Sequence, residues 1–124
     1  MSKRYTKDHE WVELNGDIAT VGITTYAAEQ LSDVVYAELP AVGTSFKKGD
    51  DMAVVESAKT ASDVYAPISG EIVEANAEIA GENWQIINDG PQAGGWFVKL
   101  KPSNKAEFDA LMDEAAYADY VKGL

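Results

Sequence analysis

Lys59 stands in "ESAKTASDVYAPISGEI" (residues 56–72), between the small residues Ser57, Ala58, Thr60 and Ala61. A lysine amine near its ordinary pKa of about 10.4 is protonated at neutral pH and usually serves as a solubilising surface charge. Three features of this pattern point instead to an amine presented for acylation. The apolar runs "MAVVES" and "SDVYAPI" on either side are separated by so few residues that a hairpin is the economical connection, which puts Lys59 at or next to its tip. A hairpin tip is the most reachable point a β-domain offers to a modifying enzyme, and small neighbours leave room for a catalytic pocket to close over it. Paired strands also fix the lysine's position while its end stays free, which is how a carrier holds a swinging group.

Other chemistry is harder to assemble. His9 is the only histidine, followed by Glu10 and Trp11, so a general base or metal site must do without a second imidazole. The carboxylates are numerous but scattered, as on a solvated face. None of the ten glycines forms a phosphate loop ahead of Lys-Ser or Lys-Thr. With no cysteine, disulfides, cysteine zinc sites and thiol catalysis by the protein itself are excluded, and any sulfur redox chemistry has to be brought in.

The elements that position Lys59 are short strands punctuated by turns. "HEWVELNGDIATVGIT" reads as two strands joined at Asn15-Gly16, a dipeptide that tolerates positive φ, with Ala19, Val21 and Ile23 on one face. "TYAAEQLS" (25–32) has Ala27, Ala28 and Leu31 at helical spacing, and "VVYAELP" (34–40) is a strand ended by Pro40. Turns at Val42-Gly43 and Lys48-Gly49-Asp50 precede a strand through Met52–Val55, and "EIVEAN" and "WFVKLKP" are further strands. Between those two lies a looser segment, 77–95, with five Gly, Pro or Asn breakers in "NDGPQAGG". The last stretch, 104–121, reads as one helix lying as a lid over the β-core, with Phe108, Leu111, Met112, Ala115 and Ala118 on a stripe and Asn104 with Glu107 as a capping box.

These elements predict one mainly β domain, a sandwich or flattened barrel with peripheral helices. A weak echo between "GDDMAVVES" and "SGEIVEANA" fits two similar half-sheets. The 124 residues suit a single domain, and 21 acidic against 10 basic residues, a net charge of −11, argue against nucleic-acid binding. Such charge favours solubility and long-range steering toward partners with basic docking surfaces. No apolar run reaches the roughly 20 residues of a membrane span, and the first residues lack the apolar core of a signal peptide, so a cytoplasmic protein without membrane partners is expected.

"ESAKTASDVYAPISGEIVEAN" resembles the lipoylation segment of the glycine cleavage system H-protein family: Glu-Ser-x-Lys, small residues, Ser-Asp, then Ala-Pro-x-Ser-Gly-Glu. "HEWVELNGDIATVGIT", "AAEQLSDVVYAELPAVG", "KKGD" and "GGWFVKLKPS" follow the family in order, so the resemblance covers essentially the whole chain. A biotin carrier would have methionines beside the lysine, where this chain has Ala58 and Thr60. The resemblance implies a lipoyl-domain fold, the barrel-sandwich hybrid of two small sheets, with a short helix in the N-terminal half and one at the C-terminus. It implies one domain over residues 1–124, a lipoyl-binding core at about 18–100 and a C-terminal helix at about 104–121.

Lys59 would then carry lipoic acid through an amide, attached by a lipoate ligase or lipoyl transferase. The chain would be a monomeric, non-enzymatic shuttle. The P-protein (glycine decarboxylase) would load an aminomethyl group, the T-protein (aminomethyltransferase) would pass the one-carbon unit to tetrahydrofolate, and the L-protein (dihydrolipoyl dehydrogenase) would reoxidise the dithiol. Glu10 in the His-Glu-Trp motif and Asp63 in the Ser-Asp motif are the candidates for receiving the amine of the loaded arm, with an exposed acid and a turn-capping Asp as the plainer readings. Three alternatives remain: a lipoyl domain of a 2-oxo acid dehydrogenase, disfavoured because the chain ends at its own helix; a lipoyl donor or scaffold for other lipoate-dependent enzymes; and an unmodified structural homologue, disfavoured by the intact lysine motif. The chain departs from the family at Ala58, often valine, at Asn83-Trp84-Gln85, and at Gln92, where an aromatic is common.

Overall fold

The computed structural model describes residues 2–31 and 33–124, so Ser32, the last residue of the expected first helix, lies outside the described residues. β1 (Ser2–Tyr5), β2 (Glu10–Asn15) and β3 (Ile18–Ile23) form an antiparallel meander. Asn15 pairs with Ile18, and Gly16 turns the chain at φ 63°, as the Asn-Gly dipeptide predicts. Trp11 lies opposite Gly22, where a Cβ would sit 2.8 Å from the indole Nε1; glycine is what lets the ring cross the sheet. That Nε1 donates to the Pro91 carbonyl at 2.9 Å, so the buried indole leaves no polar atom unpaired.

α1 (Thr25–Leu31) buries Ala28 and Leu31, the expected face, and leads to β4 (Val34–Glu38). β5 (Ser45–Phe46), β6 (Asp51–Ser57), β7 (Ala61–Tyr65), β8 (Gly70–Ala75) and β9 (Val98–Pro102) complete two antiparallel sheets. One runs β1-β2-β3-β9-β8-β5 and the other β4-β6-β7. Their apolar faces share one core, in which Val21, Val98 and Leu100 of the larger sheet are buried together with Ala53, Val55 and Val64 of the smaller. The mainly β architecture with a helix in its first half and one at its end is therefore present. The two echoing segments, now β6 and β8, sit in different sheets, and those sheets have three and six strands.

Two local expectations are corrected, and one strand lies outside them. That strand is β1, whose partner is the first half of the β2–β3 hairpin. The segment 77–95 is not merely loose, because it holds α2 (Ala77–Ala80) and α3 (Gln85–Asp89). Buried Asn76 organises it: its Oδ1 caps α2 at the Glu78 amide, and its Nδ2 donates to the Gly94 and Trp96 carbonyls at 3.0 and 2.7 Å.

The C-terminal stretch is also not one continuous helix. It comprises a short α4 (Ala106–Asp109) and α5 (Glu114–Lys122). The break arises because Met112 exchanges both backbone hydrogen bonds with Tyr5 of β1, at 2.8 and 3.1 Å, which takes the groups a helix would have used internally. Asp113 then starts α5 afresh, its side chain accepting from the Ala116 amide. Asn104 accepts from the Ala106 amide, but Glu107 does not close a capping box: its carboxylate accepts from the Ser69 amide and hydroxyl at 2.7 and 3.1 Å. Phe108 and Leu111 are buried, yet Ala115 and Ala118 are exposed. α5 seats Tyr117 instead, stacked on Tyr5 with ring centroids 4.7 Å apart, so it covers β1.

Candidate functional site

Lys59 stands at the turn between β6 and β7. The Ser57 amide donates to the Thr60 carbonyl at 2.8 Å, leaving Ala58 and Lys59 as the tip. The Ser57 hydroxyl accepts from the Lys59 and Thr60 amides at 3.3 Å each, a local brace that a small polar residue supplies before such a turn. Lys59 and its neighbours Ala58, Thr60 and Ala61 are all exposed. The amine is thus free while its backbone is tied to two strands.

Beside this hairpin lies a cleft of about 200 Å³ between β7, α1 and the start of β2. Thr60, next to Lys59, forms part of its wall, and Ile23, Ala27, Leu31, Val55 and Val64 give it apolar sides. Asp8, His9, Glu10 and Asp63 supply its polar groups. A larger recess of about 490 Å³ between α1 and Asp89–Ala93 is open and contains no residue of the Lys59 hairpin, so the smaller cleft is the one relevant to a group on Lys59.

Of the two acids, Asp63 is exposed in β7, opposite Val54, and is a strand residue rather than a turn cap. Glu10 is only 2% exposed. The Thr6 hydroxyl donates to Glu10 Oε1 at 2.6 Å and the Tyr65 amide to Oε2 at 3.2 Å. Burial pushes the Glu10 carboxyl up from 4.5 to about 7, against these two hydrogen bonds, which favour the charged form, and with a smaller upward push from Asp8. The carboxyl is thus desolvated and held by two donors, Thr6 and Tyr65, that line a second recess of about 290 Å³ rather than the cleft beside Lys59.

His9 sits at φ 68°, a conformation costly for a residue with a Cβ. Its amide donates to the Thr6 carbonyl at 3.2 Å and its carbonyl accepts from the Thr24 amide at 2.9 Å. Its Nδ1 shares a 2.8 Å hydrogen bond with the Tyr117 hydroxyl, which also meets the Thr24 hydroxyl at 2.8 Å. Burial lowers the imidazole pKa, with Asp8 opposing. Among the described residues no group of three or more His, Cys, Asp or Glu side chains gathers as for a metal ion. Thr6, Tyr65, Thr24 and Tyr117 were missed from the sequence: Tyr65, Thr24 and Tyr117 reach the site through contacts distant in sequence, whereas Thr6 lies only four residues before Glu10, in a turn that carried no recognised signal.

The sequence profile described as "Glycine cleavage H-protein" matches residues 3–123. The chain belongs to the glycine cleavage H-protein family. It is 58% identical over 118 residues to the glycine cleavage system H protein of Phenylobacterium zucineum, covering 95% of this chain and 97% of that one. The H protein of Xanthobacter autotrophicus is 54% identical over 123 residues, 99% of this chain and 98% of its own. A crystal structure of the H protein from Mycobacterium marinum superposes with a TM-score of 0.86 at 36% identity, covering 99% of this chain and 98% of that one. As an H protein, the chain is a lipoyl carrier component of the glycine cleavage system, not a catalyst, and it works with partner enzymes. Two departures from the family pattern have structural places in this H protein. Trp84 meets Tyr36 edge-on at 5.6 Å, and Gln92 accepts from the Thr25 amide at 2.8 Å, at the start of α1.

Proposed function

We propose that this chain carries lipoic acid as an amide on Lys59 and moves the aminomethyl group of glycine from the P-protein to the T-protein, with the L-protein restoring the disulfide. The observation that carries the proposal is one of placement: the exposed Lys59 tip adjoins, through Thr60, the same cleft that holds Glu10 and Asp63. The residues present fit the group. Apolar walls from Ile23, Leu31, Val55 and Val64 suit a hydrocarbon arm, and the acids suit the amine at its end.

When bound, lipoyl supplies a disulfide that accepts the one-carbon unit with two electrons and is reoxidised afterwards. The chain's own residues do the rest. Ser57 and the strand pairing hold the turn, the small neighbours admit partner active sites, and the apolar walls exclude water from a cargo that water would hydrolyse. Glu10 and Asp63 take the cargo's ammonium by charge-assisted hydrogen bonds. The carrier works as a cytoplasmic monomer and meets each enzyme transiently.

Glycine–bicarbonate exchange reconstituted with P-protein tests the shuttle: lipoylated protein supports exchange, and Lys59→Arg abolishes it. Exchange surviving in K59R would overturn the reading. Glu10→Ala should speed loss of the aminomethyl group from loaded protein in buffer; an unchanged decay rate would remove Glu10 from its role while leaving Lys59 in place.

A further inference from the structure

Among the described residues that line the cleft beside Lys59, His9 alone can become a cation: the wall holds no lysine or arginine, and Lys59 itself would lose its charge once acylated. The charge state of this ring therefore bears on any ammonium the cleft receives. The ring is held from behind by a chain of hydrogen bonds that begins in α1. The Ala27 amide donates to the Thr24 hydroxyl oxygen at 3.2 Å, Thr24 Oγ1 lies 2.8 Å from Tyr117 Oη, and Tyr117 Oη lies 2.8 Å from His9 Nδ1.

The direction of this chain follows from its buried end. Thr24 is 0% exposed, and among the described residues the Tyr117 oxygen is the one acceptor within reach of its hydroxyl hydrogen. Thr24 thus donates to Tyr117, the single hydrogen of Tyr117 is left for His9 Nδ1, and the imidazole keeps its proton on Nε2. Charging the ring makes Nδ1 a donor, reverses the chain and leaves the Thr24 hydrogen buried without an acceptor, which opposes the charge. We propose that Tyr117 is a positioning residue for amine retention: with Thr24 it holds His9 as the neutral Nε2–H tautomer, so the cleft keeps its acids without an opposing cation. α5 supplies no wall of the cleft, so Tyr117 acts only through His9 and Thr24. Burial of the ring works in the same direction, with Asp8 opposing. The titratable groups around His9 are Asp8 and Glu10 beside it in the chain, Asp63 from β7 in the same cleft, and three tyrosines. These are Tyr26 from α1 and Tyr117 and Tyr120 from α5, with ring centroids 4.6, 5.8 and 6.0 Å from the imidazole.

The proposal rests on the reading of the cleft as the seat of the loaded arm, and the measurements separate their failures. Because the chain has one histidine, nitrogen NMR of unlipoylated protein reads this ring alone. At pH 7 the wild type should show Nε2 protonated and Nδ1 unprotonated; a protonated Nδ1 overturns the proposal, and this measurement needs no variant. Tyr117→Phe removes the hydroxyl and keeps the ring that stacks on Tyr5. With the donor to the neutral imidazole gone, the His9 titration in Y117F should rise by about one pH unit; an unmoved titration overturns the proposal as well. Lipoylated, loaded wild type and Y117F are then followed for aminomethyl loss across pH. Loss should quicken roughly threefold as pH falls through the His9 titration, and that step should move with the titration in Y117F. The Glu10 carboxyl, at about 7, titrates nearby but should not follow Y117F, so a step that moves belongs to His9. A moved titration with an unmoved loss profile sinks the part of Tyr117 in retention. If Glu10→Ala quickens loss while the Y117F profile stands still, the proposal alone fails; if neither variant alters loss, the reading of the cleft fails with it.

Discussion

At the scale of single residues, Glu10 combines a stability cost with the role proposed for it in receiving the arm's amine. Its carboxyl is raised from 4.5 to about 7 by burial, so between those values the folded protein binds a proton that the unfolded chain has released. Stability from this group is therefore greatest below about pH 4.5 and declines as pH rises toward 7, with a total of roughly 3 kcal/mol at stake. Glu10→Gln removes the term. Urea unfolding at pH 5 and pH 8 should show wild type losing more stability across that interval than E10Q; equal losses would contradict the burial argument. His9 titrates in the opposite sense, because its lowered pKa favours the neutral form on folding and costs stability as pH falls. Comparing the two proteins cancels that contribution. Such a cost is expected where a site must desolvate an acceptor before its ligand arrives.

At the scale of elements, the segment between β8 and β9 depends on one side chain. Buried Asn76 makes three hydrogen bonds that no water could replace without opening the core. Asn76→Ala should cost about 2–4 kcal/mol, measured by urea unfolding, because it removes a helix cap and leaves the Gly94 and Trp96 carbonyls without this donor. A loss under about 1 kcal/mol would mean that the segment holds itself. This dependence also explains what could be read beforehand. The β2–β3 hairpin, α1 and the β6–β7 hairpin were legible because alternation, Asn15-Gly16 and the Ala28–Leu31 spacing are local signals. α2 and α3 were not, since a four-residue helix held by a side chain reaching Trp96 has too little periodicity to register. The break before α5 was hidden for a similar reason: Met112 pairs with Tyr5, far away in sequence, and only Asp113 as a cap gave any local hint. Within the site, Lys59 was visible as a motif, whereas Tyr65 becomes a partner of Glu10 only once β2 and β7 converge, and Thr6 does so through the local turn between β1 and β2.

At the scale of the whole molecule, a net charge of −11 on a protein that must visit several enzymes favours fast encounter over a large permanent interface. Its association rate with P-protein, measured by stopped flow, should fall steeply between about 50 mM and about 300 mM salt, with dissociation changing much less. A salt-independent association rate would assign the acidic surface to solubility alone. Two sheets share one core, α5 closes over β1, and the β6–β7 hairpin presents exposed Lys59 at a braced tip beside the Glu10 cleft. The proposed function depends on what Lys59 carries. Intact-mass measurement of the protein and of Lys59→Arg, both produced in lipoate-supplied cells, tests this most directly. The account predicts a single lipoyl addition on the wild-type chain and none on K59R; an unmodified wild-type chain, or an addition that persists in K59R, would contradict it.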